Sequence, residues 1–221
     1  MASHVYVVDD DERFRNSLCA LIKSVGLQVD GWGNPEDLLN KTRLDRPGCV
    51  VLDYRLPSLS GLEVLRILRR TSSIPAILIT AYADVQTVVA TMEMGASTAF
   101  EKPIDDNAFL NALERFCFED MQRVLKRGLC LAVQQDIAKL TEIERATLEQ
   151  MRLGLSNKAI ARKLGKSVKA IERQRQSVVH KLGCACAVEA LQKVQVCPLY
   201  DHSPLTCTNE SCPEGRYISV K

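Results

Sequence analysis

From His4 to Phe118, short runs rich in β-branched residues alternate with stretches whose apolar positions recur every three or four residues. The short runs, at residues 4–9, 28–32, 49–53, 74–80 and 98–101, predict five β-strands. The stretches between them predict helices. Residues 13–24 put Phe14, Leu18, Leu21 and Ile22 on one face, and residues 62–70 turn Leu62, Leu65 and Leu68 inward. Strict alternation of strand and helix predicts a doubly wound, five-stranded parallel α/β sheet with helices on both faces.

Beyond residue 105 the pattern changes. Helical spacing continues to Leu140, with Gly128 as a possible break, and an all-α unit follows over residues 140–195. Thr141 and Glu144 form a capping box that marks its start. Three helices can be delimited there: residues 141–153 stop near Gly154, residues 157–164 run between Ser156 and Gly165, and the third starts at Ser167 and ends at Leu182 before Gly183. Two short helices joined through Gly165 and Lys166, the second one basic, follow the pattern of a helix-turn-helix. The expected organisation is an α/β domain over residues 1–120, a helical linker over 121–139, an all-α helix-turn-helix domain over 140–195 and a tail over 196–221.

Charge separates the two domains. The 221 residues carry a formal net charge of +2, yet residues 1–120 hold 12 Lys/Arg against 18 Asp/Glu, a balance of −6. Residues 140–194 hold 11 against 5, a balance of +6. A small basic module attached to an acidic one points to nucleic acid as the partner of the former. The 46% hydrophobic composition supports packed cores and argues against disorder and fibre. No charged segment leads into a long apolar run at the start, and no apolar stretch reaches membrane-spanning length, so the expected location is cytoplasmic, with no membrane partner. In that reducing setting the nine cysteines are expected to be thiols or metal ligands, with Cys19, Cys49 and Cys117 packed among apolar neighbours.

The chemistry-bearing residues of the first domain fall at the carboxyl ends of the predicted strands: Asp9 and Asp10 at the first, Asp53 at the third, Thr80 at the fourth and Lys102 after the fifth. In a doubly wound sheet these ends share one rim, where ligands bind. Taken singly, a strand-end Asp is usually a loop residue, adjacent acids usually favour a helix dipole, and a lone lysine is usually solvated. Taken together they make a pocket of three carboxylates and a lysine. Crowded carboxylates repel, and a hard divalent cation such as Mg²⁺ relieves that repulsion while bridging to phosphate. Asp53 is then placed as a nucleophile toward a phosphoryl donor. Lys102 offsets charge on the transferred oxygens and Thr80 offers a hydroxyl.

Val7-Val8-Asp9-Asp10, Leu52-Asp53-Tyr54-Arg55-Leu56-Pro57 with Gly61, Thr80-Ala81 and Lys102-Pro103 resemble the signature of response-regulator receiver domains, across residues 4–118. The resemblance implies a flavodoxin-like fold with Asp53 as the phosphorylated residue. It implies Mg²⁺ held by Asp10, Asp53 and the Arg55 backbone carbonyl, with Asp9 acting through water. It further implies that Thr80 swings toward the phosphoryl group beside small Ala81, that Lys102 pairs with that group, and that the Lys102-Pro103 peptide is cis. A sensor histidine kinase as phosphodonor is implied, as is homodimerisation on phosphorylation through the fourth helix, fifth strand and fifth helix. One position departs from the family: Tyr or Phe often stands three residues before the lysine, and here it is Ala99. Phe100 faces the other side of its strand and does not substitute, which weakens the usual threonine-aromatic coupling.

On the third helix of the basic unit, Val168, Ile171, Val178, Val179 and Leu182 gather on one side, and Lys169, Glu172, Arg173, Gln176 and His180 on the other. The polar face is expected to read the major groove of double-stranded DNA, with Arg173 toward guanine, Gln176 toward adenine, Glu172 toward cytosine and Lys169 at phosphate. Arg175 lies near the apolar side, its stem packed and its head directed to a phosphate or an internal carboxylate. The runs Leu140-Thr141-Glu142-Ile143-Glu144-Arg145, Gly154-Leu155-Ser156-Asn157-Lys158-Ala159-Ile160-Ala161, Ile171-Glu172 and Lys181-Leu182 resemble the LuxR-type domain of FixJ/NarL regulators. Gln174 stands where many members have His, and Lys169-Ala170 replaces the more usual Ser/Thr pair, so the operator sequence does not carry over.

These readings predict a transcriptional response regulator of a two-component phosphorelay, not an enzyme. The alternative is a phosphorylation-independent DNA-binding regulator whose receiver serves only for dimerisation, a reading that Ala99 favours. A haloacid-dehalogenase-type phosphatase would place a second acid two residues after its nucleophile, where this chain has Arg55. In the tail, Cys197, His202, Cys207 and Cys212 recur at intervals of five. Without a tight C-x2-C knuckle, and with Pro198, Pro204 and Pro213 nearby, no zinc is expected there.

Overall fold

The computed structural model describes residues 3–41, 44, 46–81 and 85–195. The Cys197, His202, Cys207 and Cys212 set lies outside them. Among the described residues the chain divides into two compact units, with the boundary between Val124 and Leu125.

In the first unit β1 (His4–Val8), β2 (Gln28–Trp32), β3 (Gly48–Asp53), β4 (Ala76–Thr80) and β5 (Thr98–Glu101) form one parallel sheet in the order β2-β1-β3-β4-β5. The chain reverses its direction of winding between β1 and β3, which opens a crevice at the carboxyl ends of those strands. The central strands are buried on both faces, which is why they read as continuous apolar runs. Val5 and Val7 face α1 (Glu12–Ser24) and α5 (Asp106–Ala138), packing with Leu18, Ile22, Phe109 and Leu113. Tyr6 and Val8 face α2 (Pro35–Lys41) and α3 (Gly61–Thr71), packing with Leu38, Val64, Leu65 and Leu68. Helix α4 (Val85–Glu93) precedes β5. β4 starts at Ala76 and not at residue 74, because Pro75 has no N–H for the ladder, although its carbonyl accepts from Val50 at 2.9 Å.

Helix α5 runs without interruption through Gly128, the position that the sequence left open as a possible break. From Leu125 on it belongs to the second unit, where Val133 is buried with Leu140, Leu148, Val178 and Leu182. That unit continues with α6 (Glu142–Arg152), α7 (Asn157–Leu164), α8 (Val168–Lys181) and α9 (Ala187–Gln195). Gly165 ends α7 at φ +63°, a left-handed turn that leads directly into the Ser167 cap of α8. Helix α9 is additional to the three helices delimited from sequence. The Glu189 carboxylate caps its entry by accepting the Ala185 N–H at 2.6 Å, so no Ser, Thr, Asp or Asn signals its start. Val168, at the first position of α8, is 37% exposed, while Ile171, Val178 and Leu182 are buried.

Cys19, Cys49, Cys117, Cys184 and Cys186 are free thiols. Cys130 is disulfide-bonded, which corrects the reading of every cysteine as a thiol or ligand. An argument from compartment says nothing of which thiols approach one another. Among the described residues, no helix is long and apolar enough to cross a membrane.

Candidate functional site

The parallel sheet brings Asp9, Asp53, Thr80 and Lys102 to one rim, although they are distant in sequence. Lys102 is seated by its own backbone, whose N–H donates to the Thr80 carbonyl at 2.8 Å. Its ammonium lies 2.8 Å from both Asp53 Oδ1 and Asp9 Oδ2, and 4.0 Å from the centroid of the Phe14 ring. Asp9 is 1% exposed and Asp53 7% exposed, so this bridge joins two buried carboxylates. The remaining oxygens are also held. Asp9 Oδ1 accepts the Asp11 N–H at 2.9 Å, and Asp53 Oδ2 accepts the Arg55 N–H at 2.8 Å.

The loop after β3 is shaped by close approach. A Cβ on Gly61 would lie 2.3 Å from the Asp53 carbonyl oxygen, and the Gly61 N–H donates to the Tyr54 carbonyl at 2.9 Å. Only glycine permits α3 to start this near the strand end, where the Tyr54 carbonyl and the start of the helix meet. Thr80 is buried at the rim, whereas Asp10 and Ala81 are exposed at its mouth. The Lys102-Pro103 peptide is cis.

Burial pushes the Asp9 carboxyl up, against the opposing pull of the Lys102 ammonium. Burial acts on Lys102 in the opposite sense, lowering it, but its bonds to Asp53 and Asp9 outweigh this and hold it above the ordinary lysine value. The lysine is therefore a firmly charged partner of the two acids. Among the described residues no three His, Cys, Asp or Glu side chains already form a metal cage. The donor set nevertheless fits a hard divalent cation. The rim offers carboxylate and carbonyl oxygens, and two buried carboxylates sharing one ammonium retain an unbalanced negative charge.

Ala99 and Phe100 face opposite sides of β5. Phe100 packs edge-on against Phe109, with ring centroids 5.7 Å apart, while Ala99 packs on the α3 side, opposite Leu78 in the register. No aromatic ring at position 99 stands behind Thr80.

In the helical unit, Lys169, Glu172, Arg173, Gln176 and His180 are all exposed on α8. Arg175 is half-buried and donates to the Asn157 amide oxygen at 2.9 Å, tying α8 to the start of α7. Its partner is thus an internal amide and not an internal carboxylate. Gln174 is turned inward to the Thr147 hydroxyl, 3.0 Å away. The capping box at Thr141 is present, but its Glu144 also accepts from Ser177 at 2.6 Å and from Lys181 at 2.7 Å on α8. Burial works to raise the Glu144 carboxyl, and the bonds from Lys181, Ser177 and Thr141 overcome it, holding the group down at about 2. The Thr-x-x-Glu spacing identifies the cap; nothing in it reveals the second attachment.

Residues 5–114 match the response regulator receiver domain family, and residues 138–194 match the bacterial regulatory proteins of the luxR family. The sequence is 35% identical to the transcriptional regulatory protein FixJ of Azorhizobium caulinodans over 90% of this chain and 97% of that protein. It is 34% identical to nodulation protein W of Bradyrhizobium diazoefficiens, over 80% of this chain and 79% of that one. Among solved structures, the response regulator StyR is similar with a TM-score of 0.78 and 31% identity, over 88% of this chain and 99% of that one.

Proposed function

Since this chain belongs to the FixJ-like response regulators, which join a receiver domain to a LuxR-type DNA-binding domain, we propose that phosphorylation of Asp53 by a sensor histidine kinase promotes homodimerisation and operator binding. The observation that carries this reading is the Lys102 ammonium, 2.8 Å from Asp53 and 2.8 Å from Asp9 in a buried pocket. An Asp53 oxygen attacks the phosphorus of the donor, the bond from phosphorus to the donor's leaving atom breaks, and an aspartyl phosphate forms. Lys102 would balance charge on the transferred oxygens, and the Thr80 hydroxyl would donate to one of them. Asp10, Asp53 and the Arg55 carbonyl would hold Mg²⁺, with Asp9 acting through water. When bound, the ion supplies charge neutralisation for the incoming phosphoryl group.

The exposed face of α8, with Lys169, Glu172, Arg173 and Gln176, is the proposed DNA-reading surface, and Arg175 supports it through Asn157. A DNA partner agrees with the expected cytoplasmic location. Incubation with acetyl phosphate and Mg²⁺ tests the reading: intact mass should rise by one phosphoryl group in the wild type and not in D53N. Ala99 favours one second reading, in which the receiver dimerises and the protein binds DNA without phosphorylation. That reading requires the same operator affinity with and without phosphodonor.

A further inference from the structure

We propose that Arg15 is a positioning residue for the acidic loop after β1, and that by holding this loop it sets the Mg²⁺ affinity of the pocket. The inference rests on the reading of Asp10 and Asp53 as Mg²⁺ ligands. Arg15 lies early in α1, half-buried, and its Nη1 donates to the Asp9 main-chain carbonyl at 2.6 Å. The Asp9 side chain is held separately, by the Asp11 N–H and by Lys102, so with Arg15 every oxygen of Asp9 is engaged. The carbonyl that Arg15 holds belongs to the Asp9–Asp10 peptide. Because that peptide is planar, fixing its oxygen fixes the direction in which Asp10 leaves the strand.

The neighbouring strand is shaped around this side chain. A Cβ at Gly31 would lie 3.2 Å from Arg15 Cγ and 3.1 Å from Cys19 Sγ, and one at Gly33 would lie 3.2 Å from Arg15 Nη1. Gly31 and Gly33 are not among the glycines with positive φ, so left-handed backbone geometry does not account for them. The space that they leave is taken by the arginine. Trp32, between them, completes the arrangement by accepting the Asp9 N–H on its carbonyl at 3.1 Å.

A guanidinium beside an acidic pocket has two opposed effects on a divalent cation. Its charge alone repels the ion, so removing it would tighten binding. Its bond to the Asp9 carbonyl orients a ligand, so removing it weakens binding, and loss of such an outer partner costs about 10-fold in metal affinity. The sign of the change separates the two, and R15K separates them again because it keeps the charge without the guanidinium geometry. G33A leaves Arg15 in the chain while crowding its Nη1.

The test is a Mg²⁺ titration of the full-length protein followed by the amide shifts of Asp10, Tyr54 and Arg55. Wild type should saturate, and D10N should lose the response. R15A and R15K should each bind about 10-fold more weakly, and G33A should move the same way by a smaller factor. A wild type that responds, with R15A binding as tightly or more tightly, overturns the inference and leaves the proposed function standing. A wild type with no Mg²⁺ response overturns the inference together with the ligand assignment beneath it.

Discussion

The Lys181 ammonium, in the last turn of α8, lies 2.7 Å from the Glu144 carboxylate in the first turn of α6. Ser177, one turn earlier on α8, donates to the other Glu144 oxygen at 2.6 Å. One buried carboxylate thus caps α6 and also fastens α8 against it. The orientation of α8 depends on a charge pair as well as on the apolar packing of Ile171, Val178 and Leu182.

E144Q should destabilise the helical unit by about 2 kcal/mol, since it removes the charge from a buried hydrogen-bonded pair. The sign of the pH dependence follows from a carboxyl held down at about 2 against an ordinary value of 4.5. Its contribution is complete above the ordinary value and is lost as pH falls through about 2. Urea denaturation of wild type and E144Q should show a stability gap at neutral pH that narrows under acid. A gap independent of pH would contradict this account of Glu144.

Asp120 should prove the main polar anchor of α5 on the sheet. It is buried, accepts the Gly48 N–H at 2.8 Å and pairs with Arg123, which also donates to the Ser73 carbonyl. D120A leaves a buried N–H and an arginine without its acid, at a cost of about 3 kcal/mol. Hydrogen exchange should accelerate in the first residues of β3 and in α5. G48A should be worse, because its Cβ would lie 1.8 Å from the His4 carbonyl oxygen.

On α8, exposed and half-buried arginines should behave differently. R173A should cost about 1 to 3 kcal/mol at a specific site and relax base preference there. K169A should weaken all sequences more evenly. R175A should lower affinity without changing base preference, and N157A should reproduce it, because the two residues share one hydrogen bond. Binding measured on the operator and on base-substituted variants distinguishes these outcomes. A change in base preference in R175A matched to that in R173A would make Arg175 a direct reader.

The strands and the acidic rim were legible in the sequence for physical reasons. β1, β3 and β4 are buried on both faces and therefore appear as unbroken apolar runs, and Asp9, Asp53 and Thr80 stand where those runs stop. Ala99 and Phe100 divide between the two sheet faces as strand alternation requires. What stayed hidden depends on contacts between distant segments. Arg15 reads as an ordinary surface residue of α1 until Gly31 and Gly33 are placed beside it. Glu144 reads as a cap until α8 folds back onto it, and α9 has a cap, Glu189, from within its own first turn. Val168 follows the helical wheel, yet it sits at the first position of α8, where no neighbour covers it fully.

The central claim is that the pocket around Asp53 controls assembly and DNA binding. It is tested most directly by measuring mass in solution and operator affinity for wild type and D53N, each with and without phosphodonor. Two half-sites engaged by two recognition helices couple dimerisation to affinity. The phosphodonor should therefore raise both in wild type and leave D53N unchanged. Equal mass and equal affinity in all four samples would contradict the claim and leave a regulator that binds DNA without phosphorylation.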